Sequence, residues 1–239
     1  MPGLDMKEAA LILSLLFLAP GTSDLKAEPP YRPSTESLRK HKVPQWFEDA
    51  KFGVFIHWGP YAVPAYHEWY VAFMSPKAGF GFLLGGPPYT ATQGSLPDAI
   101  FKERIQQKAY KYHLDNWGPN FAYDDFIPMF KAEKFDPAAW ARLFQDAGAK
   151  YVVLTAKHGD EFAMWPTKFT RRNAWEMGPK RDIAGDLAKA VRALGIEMGF
   201  YHNTTYTFWD QRYPGRDWVD YMNSSIKELV DMYLSLIHI

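Results

Sequence analysis

Three short stretches of the chain are continuously apolar and rich in strand-forming residues, at positions 52–57, 151–158 and 198–202. Continuous rather than alternating apolar runs are typical of strands covered on both faces, as in a parallel sheet. Helical patterns lie between and after these runs. The order strand, helix, strand, helix, strand predicts repeated βαβ units, which fit either a barrel or a doubly wound sheet.

Two of the predicted helices carry their own start and stop signals. The first begins at the N-cap Asp136 and stops at Gly148, and the second begins at Asp182 and stops at Gly195. A third helix is predicted over residues 219–233. The apolar stripes consist of Trp140, Leu143 and Phe144 in the first helix, and of Ile183, Leu187, Ala190, Val191 and Leu194 in the second.

Polar residues that can hydrogen-bond stand at the end of each predicted strand. His57 ends the first, Lys157 and His158 end the second, and Tyr201 and His202 end the third. No glycine-rich phosphate loop follows the first strand, which argues against nucleotide binding. The carboxyl ends of strands carry the active site in a TIM barrel. We therefore predict an α/β fold of the (β/α) TIM-barrel type, incomplete here, with the first three or so strands.

The N-terminal region predicts a secretory signal. Residues 9–19 form an apolar run, interrupted by one serine, that is too short to span a bilayer and has the length of a signal core. A short amphipathic or buried helix is the alternative. We assign residues 1–27 to a signal peptide, 28–44 to a proline-rich linker, 45–233 to the barrel domain and 234–239 to a tail that is foreign or truncated. We expect no membrane anchor.

The amino-acid composition argues against several functional classes of protein. The 27 basic residues balance 27 acidic ones, which argues against a nucleic-acid partner. The chain has no cysteine, which excludes disulfides, cysteine nucleophiles and thiolate metal sites. Aromatic residues make up 17% of the chain. Most would fill a core, and a surplus of Trp and Tyr also suits a sugar pocket, because a sugar has flat apolar faces and polar edges.

The residues alone are compatible with two kinds of polar site, a sugar-binding site and a metal site. Glu68 next to Trp69 can hold sugar hydroxyls while the indole covers an apolar sugar face, or can be a solvated carboxylate beside a core ring. The three strand-end histidines, with Glu68 or Asp160, could instead bind zinc or iron. The sequence has neither the H-x-H nor the H-E-x-x-H spacing, which makes the metal reading the weaker one. It also lacks the G-x-S-x-G motif of serine hydrolases.

Several longer motifs carry a family resemblance. Residues 46–59 (WFEDAKFGVFIHWG), 62–65 (AVPA) and 68–70 (EWY) resemble the opening of the alpha-L-fucosidases of glycoside hydrolase family twenty-nine. The resemblance continues collinearly through residues 135–137, 146–155, 178–182 and 199–202. It implies a (β/α)-barrel catalytic domain followed by a small β-sandwich. It also implies retaining hydrolysis of terminal alpha-linked L-fucose from glycoproteins and glycolipids, with neither metal nor cofactor.

The resemblance also implies which residues bind the sugar, and fucosylated glycans are the expected partners. Neutral histidines and a tyrosine supply donors and acceptors without a fixed charge. The apolar part of the pocket would be lined by Trp58, Trp69 or Trp165. The substrate-binding residues implied are His57, Glu68, Trp69, His158, Tyr201 and His202.

The implied setting is the secretory pathway, with a lysosome-like compartment or the exterior as destination. Asn203 and Asn223 begin glycosylation acceptor triplets, which agree with that route. A homo-oligomer of the full-length enzyme is left open.

Two departures from the family pattern stand out. The family has Lys-His-His followed by Asp/Glu-Gly-Phe, and this chain reads KHGDEF over residues 157–162, so Gly159 replaces a sugar-binding histidine. The family's nucleophile, an Asp in a Trp-x-Asp-Gly motif, is expected beyond Ile239. We therefore expect a fucosidase fragment that is inactive and folds poorly alone. The alternative is a non-catalytic fucose-binding relative that lacks the nucleophile.

The signal assignment predicts cleavage between Ala19 and Ala27. Mass spectrometry of the secreted protein should find a mature N-terminus in that interval. Secreted protein that still begins with Met1 would contradict the assignment.

Overall fold

The computed structural model describes residues 34–40, 42–74, 107–203 and 217–233. The chain divides into two compact units, residues 1–43 and 44–239. In the first unit, helix α1 spans Thr35–Leu38 and is capped by Ser34, whose Oγ accepts a hydrogen bond of 3.2 Å from the Ser37 amide. The predicted signal peptide, the start of the predicted linker and the predicted tail lie outside the described residues.

The second unit alternates helices with strands in the order that the apolar runs predict. No helix within the described segments is long and apolar enough to cross a membrane. The elements are, in chain order, α2 (Gln45–Ala50), β1 (Gly53–Ile56), a 3-10 helix (Pro60–Ala62), α3 (Tyr70–Phe73), α4 (Gln107–Asn116), a second 3-10 helix (Tyr123–Met129), α5 (Pro137–Asp146), β2 (Tyr151–Lys157), α6 (Ile183–Ala193), β3 (Glu197–His202) and α7 (Trp218–Tyr233).

The described strands form one parallel sheet in the order β1-β2-β3. Val54 lies opposite Val152, and Val152 lies opposite Met198. An irregularity between Thr155 and Lys157 shifts the register at the carboxyl end of β2, so that Lys157 lies opposite His202. The predicted parallel βαβ order is confirmed.

The core lies between this sheet and the helices that follow its strands. Val152, Leu154 and Ala156 alternate along β2 with their side chains completely buried against α5 and α6. Burying each Val or Leu side chain contributes about 1.5–3 kcal/mol. The opposite face of β1 is open, since Phe55 is 52% exposed. The expectation that the strands are covered on both faces is therefore wrong for β1 in the described part of the chain.

The predicted helix boundaries are confirmed by their caps. Asp136 Oδ1 accepts from the Ala139 amide at 2.9 Å, and Asp182 Oδ1 accepts from the Gly185 amide at 2.9 Å. Gly148 and Gly195 follow the two helices with φ of 84° and 69°, in the left-handed region that stops a helix.

The predicted apolar stripe of α5 is wrong at one position, Leu143. Leu143 is 64% exposed, whereas Ala141 and Phe144 are buried. The buried stripe of α5 is therefore centred on Ala141 and Phe144, which places Leu143 beyond its edge.

Asp182 makes two structural hydrogen bonds, so its contribution to the free energy of unfolding can be measured. Its Oδ1 caps α6, and its Oδ2 accepts a 2.7 Å hydrogen bond from the Tyr233 hydroxyl at the end of α7. Asp182→Ala should lower the free energy of unfolding of the full-length protein by about 2 kcal/mol, from the loss of one cap and one hydrogen bond. Tyr233→Phe should cost about 1 kcal/mol. Urea denaturation measures both.

Asp136→Ala is the matched control, because Asp136 caps α5 through the same kind of bond. It should cost about 1 kcal/mol. Equal losses for Asp182→Ala and Asp136→Ala would show that the α6–α7 bond contributes nothing.

Candidate functional site

Four of the predicted site residues meet at the carboxyl ends of the strands. The His158 ring lies at the centre, with ring centroids 5.5 Å from His57, 4.5 Å from Trp69 and 6.1 Å from Tyr201. The His57 and Tyr201 rings are 6.1 Å apart. These four side chains are called the His158 cluster below.

Strand topology explains most of this cluster. His57 follows β1, His158 follows β2, and Tyr201 lies in β3 opposite Thr155. The carboxyl ends of parallel strands meet at one edge of the sheet, which brings the three residues together. Trp69 joins them from the start of α3, where its backbone amide donates to His67 Nδ1 at 3.0 Å.

Glu68 adds a negative charge beside the His158 cluster. Its Oε2 lies 3.3 Å from His67 Nδ1, and the side chain is partly exposed. The same carboxylate acts electrostatically on His158, where it favours the protonated ring, and on Tyr61, where it raises the pKa. The structure therefore places the predicted Glu68–Trp69 pair at the site.

Tyr61 is a further residue of the candidate site, and no sequence motif predicted it. Its ring centroid lies 5.5 Å from that of His158, and the side chain is buried. Burial, with the nearby charges of Asp160 and Glu68, strongly raises the pKa of the Tyr61 phenol, which therefore stays protonated. The sequence feature that could have indicated Tyr61 is its position directly after His57-Trp58-Gly59-Pro60.

The turn after β2 is anchored by a buried ion pair. Lys157 Nζ donates to Glu161 Oε2, and both side chains are almost completely inaccessible to solvent. Lys157 Nζ also lies 3.7 Å from Met222 Sδ and 5.2 Å from the Tyr221 ring centroid, both on α7. Glu161 has a φ of 60°, which is uncommon for a residue with a side chain. The pair thus joins β2, the turn and α7 on either side of His158.

Asp160 belongs to the scaffold of the same turn. Its Oδ2 accepts from the Tyr123 hydroxyl at 2.8 Å, and its Oδ1 accepts from the Phe162 amide at 3.2 Å. Its backbone oxygen accepts from Arg172 Nε at 2.9 Å. Across the described ranges, no three His, Asp or Glu side chains converge in a way that would hold a metal ion.

His202 lies apart from the His158 cluster. Its Nε2 is 3.1 Å from Ser225 Oγ on α7, and its ring centroid is 6.0 Å from that of Trp165. Successive residues of a strand point to opposite faces, so Tyr201 and His202 do not share one pocket. The structure therefore places the predicted residue His202 between the sheet and α7.

The three candidate tryptophans also separate. Trp58 packs in the core, with ring centroids 5.0 Å from Phe130 and 5.1 Å from Trp140. Trp165 is fully buried, and its Nε1 donates to Glu228 Oε2 at 3.0 Å. Of the three, Trp69 is the one that contacts His158.

Comparison with known proteins places this geometry in a family. Residues 19–237 match the family model described as alpha-L-fucosidase. The chain belongs to the alpha-L-fucosidase family. Tissue alpha-L-fucosidase of Homo sapiens is 40% identical over 208 residues, which cover 84% of this chain and 39% of the human protein. The alpha-L-fucosidase of Dictyostelium discoideum is 36% identical over 180 residues, which cover 72% of this chain and 33% of that protein.

Solved fucosidase structures share the fold. The alpha-fucosidase of Thermotoga maritima in complex with fucose is 38% identical, with a TM-score of 0.62 over 85% of this chain and 48% of that one. The same enzyme in complex with a mechanism-based inhibitor gives a TM-score of 0.63. The chain thus spans about two fifths of the human relative and about half of the bacterial one.

The His158 and His202 side chains are neutral at neutral pH. Burial, reinforced by repulsion from His57, lowers the pKa of His158 to about 4. Burial and the Lys157 charge lower the pKa of His202 to about 3. His158 Nδ1 is buried and has no hydrogen-bond partner within the described part of the chain. A neutral, unsatisfied ring nitrogen is suited to a sugar hydroxyl.

These lowered pKa values predict a loss of stability in acid. The ordinary value is 6.5, so below that pH the unfolded protein binds protons that folded His158 and His202 do not. The free energy of unfolding should fall from pH 6.5 towards pH 4, by up to about 1.4 kcal/mol per pH unit for each histidine. Urea denaturation at several pH values measures the slope, and His158→Gln should reduce it. An unchanged slope in that variant would contradict the assignment.

Proposed function

We propose that the protein is an alpha-L-fucosidase that removes terminal alpha-linked L-fucose from glycoproteins and glycolipids with retention of configuration. This chain would supply the fucose-binding part of its site. The observation that carries the proposal is the His158 cluster, in which a buried neutral histidine with an unsatisfied Nδ1 is surrounded by His57, Trp69 and Tyr201.

The chemistry of this cluster suits a neutral sugar. His57, His158 and Tyr201 offer donors and acceptors without requiring a counter-charge in the ligand. Trp69 offers an apolar surface that can cover the C–H groups of a pyranose ring. The protonated Tyr61 hydroxyl and the Glu68 carboxylate add one donor and one strong acceptor. Each hydrogen bond to a sugar hydroxyl contributes about 1 kcal/mol, and leaving a buried partner unpaired costs more.

Hydrolysis with retention needs two carboxyl groups about 5 Å apart, one acting as nucleophile and one as acid and base. Glu68 is the carboxylate beside the His158 cluster, while the Asp160 carboxylate is bound by Tyr123 and the Phe162 amide. We place the nucleophile in the part of the relatives' length that this chain does not span. On this proposal the 239-residue chain is a fragment that carries sugar-binding residues and lacks activity alone.

We also propose a (β/α)-barrel fold and a location in the secretory pathway. The parallel order β1-β2-β3, with helices between the strands, is the arrangement of the first strands of a (β/α) barrel. The site at the carboxyl ends of the strands supports this placement. Fucosylated glycans are the proposed substrates, met in the secretory pathway, in a lysosome-like compartment or outside the cell.

Histidine substitutions test the proposal. In the full-length protein, His57→Ala and His158→Ala should each weaken L-fucose binding by about 1–3 kcal/mol, because sugar hydroxyls lose their partners. That corresponds to a roughly 5- to 150-fold rise in Kd measured by isothermal titration calorimetry. Hydrolysis of an aryl alpha-L-fucoside by the parent protein tests the activity itself.

His113→Gln provides the matched control. His113 is buried like His158, but it contacts Tyr70 and the Phe121 backbone oxygen outside the His158 cluster. Its Kd for L-fucose should match that of the parent. Equal affinity in all four proteins would sink the site assignment, and fucose binding without turnover would favour a non-catalytic relative.

A further inference from the structure

Trp69 lies unusually close to Gly159. A Cβ atom added at Gly159 would lie 2.5 Å from Trp69 Cζ3 and 3.2 Å from both Cε3 and Cη2. A contact of 2.5 Å is shorter than Cβ atoms make in folded proteins, so any side chain at position 159 would force a movement. The indole thus occupies space that any residue other than glycine would need.

The turn that carries Gly159 cannot readily retreat. Lys157 and Glu161 form the buried ion pair on either side of it, and the Glu161 amide donates to the His158 oxygen at 3.1 Å. Asp160 is held through both carboxylate oxygens and its backbone oxygen. Moving the backbone would break several buried polar contacts, which are costly to leave unmade. Trp69, partly exposed at the start of a four-residue helix, is the partner that would yield.

The position of Trp69 in turn decides what surrounds His158. The two ring planes meet at 65° with centroids 4.5 Å apart, in an edge-on contact. This indole, with Tyr61 and Tyr201, encloses a ring whose Nδ1 is buried. If Trp69 moved, water would reach His158 and the ring would lose a wall that limits its rotation.

We propose that Gly159 is a positioning residue of the fucose site, whose missing side chain seats Trp69 against His158 and so fixes the His158 ring for a sugar hydroxyl. The inference rests on the proposed function for the identity of the sugar. The indole edge fills the space that a side chain at position 159 would occupy, so the pocket presents an apolar wall there.

Even a hydrogen-bonding side chain at position 159 should weaken binding of the sugar. Gly159→His would add a donor, yet it should weaken L-fucose binding, because its Cβ meets the Trp69 ring. Gly159→Ala should do the same with a smaller side chain. We expect at least a tenfold rise in Kd for each variant in the full-length protein, measured by isothermal titration calorimetry.

A second readout does not depend on fucose. NMR titration of the His158 ring should give a pKa near 4 in the parent and a value closer to 6.5 in Gly159→Ala, because water enters. His57, His67 and Glu68 face His158 and remain present in both proteins. Gly199→Ala is the matched control, since a Cβ there makes only an ordinary 3.4 Å contact with Val153. It should leave both the titration and the Kd unchanged.

A double-mutant cycle identifies the contact responsible. In a Trp69→Ala background, Gly159→Ala should cause no further change in Kd or in the His158 titration. If Gly159→Ala fails to fold but the double variant folds, the steric contact is confirmed. If both fail to fold, or if Gly159→Ala acts equally in both backgrounds, the turn itself requires glycine and the inference is overturned.

The outcomes also separate this inference from the proposed function. A parent protein that does not bind L-fucose contradicts the proposed function, and the His158 titration then decides the role of Gly159 alone. A parent that binds L-fucose, with Gly159→Ala unchanged in both Kd and titration, contradicts the role of Gly159 alone.

Discussion

The buried ion pair of Lys157 and Glu161 is the constraint on which the site depends. Both charges are removed from water, a cost that only their mutual attraction and the surrounding polar contacts offset. Breaking such a pair by removing one partner typically costs about 3–5 kcal/mol. Glu161 also adopts a left-handed backbone conformation, at a cost of about 1–3 kcal/mol. His158 lies between the two residues in sequence, so the pair anchors the backbone of the turn that carries it.

The site combines this rigid charged support with a neutral interior. Burial keeps the His158 ring uncharged, and aromatic rings of His57, Tyr61, Trp69 and Tyr201 surround it. A neutral sugar brings no charge to balance, so hydrogen bonds and apolar contact must supply the binding energy. The ion pair thus belongs to the supporting turn, and the surface that would meet the sugar is built from aromatic rings and the Glu68 carboxylate.

Much of this arrangement follows from local sequence signals. The apolar runs predict the three strands. The helix boundaries are predicted by the capping residues Asp136 and Asp182 and by the glycines after α5 and α6. His57, His158 and Tyr201 could be brought together because parallel strands end at one edge. Side chains alternate between the two faces of a strand, and this alternation separates Tyr201 from His202, although the two residues are adjacent in sequence.

Tertiary contacts decided the features that the sequence did not reveal. The partner of Lys157 is Glu161, four residues away, in a turn where Glu161 takes a positive φ that its residue type does not predict. Tyr61 enters the site through a turn whose direction no periodic pattern encodes. Gly159 reads as a lost histidine in the sequence, whereas the structure shows it in contact with Trp69.

The most direct test of this account is a crystal structure of the full-length protein with L-fucose bound. The account predicts the sugar at the carboxyl ends of β1–β3, with a hydroxyl about 2.7–3.2 Å from His158 Nδ1 and Trp69 against its ring. A sugar bound elsewhere, or one that leaves His158 Nδ1 without a partner, would contradict the central claim.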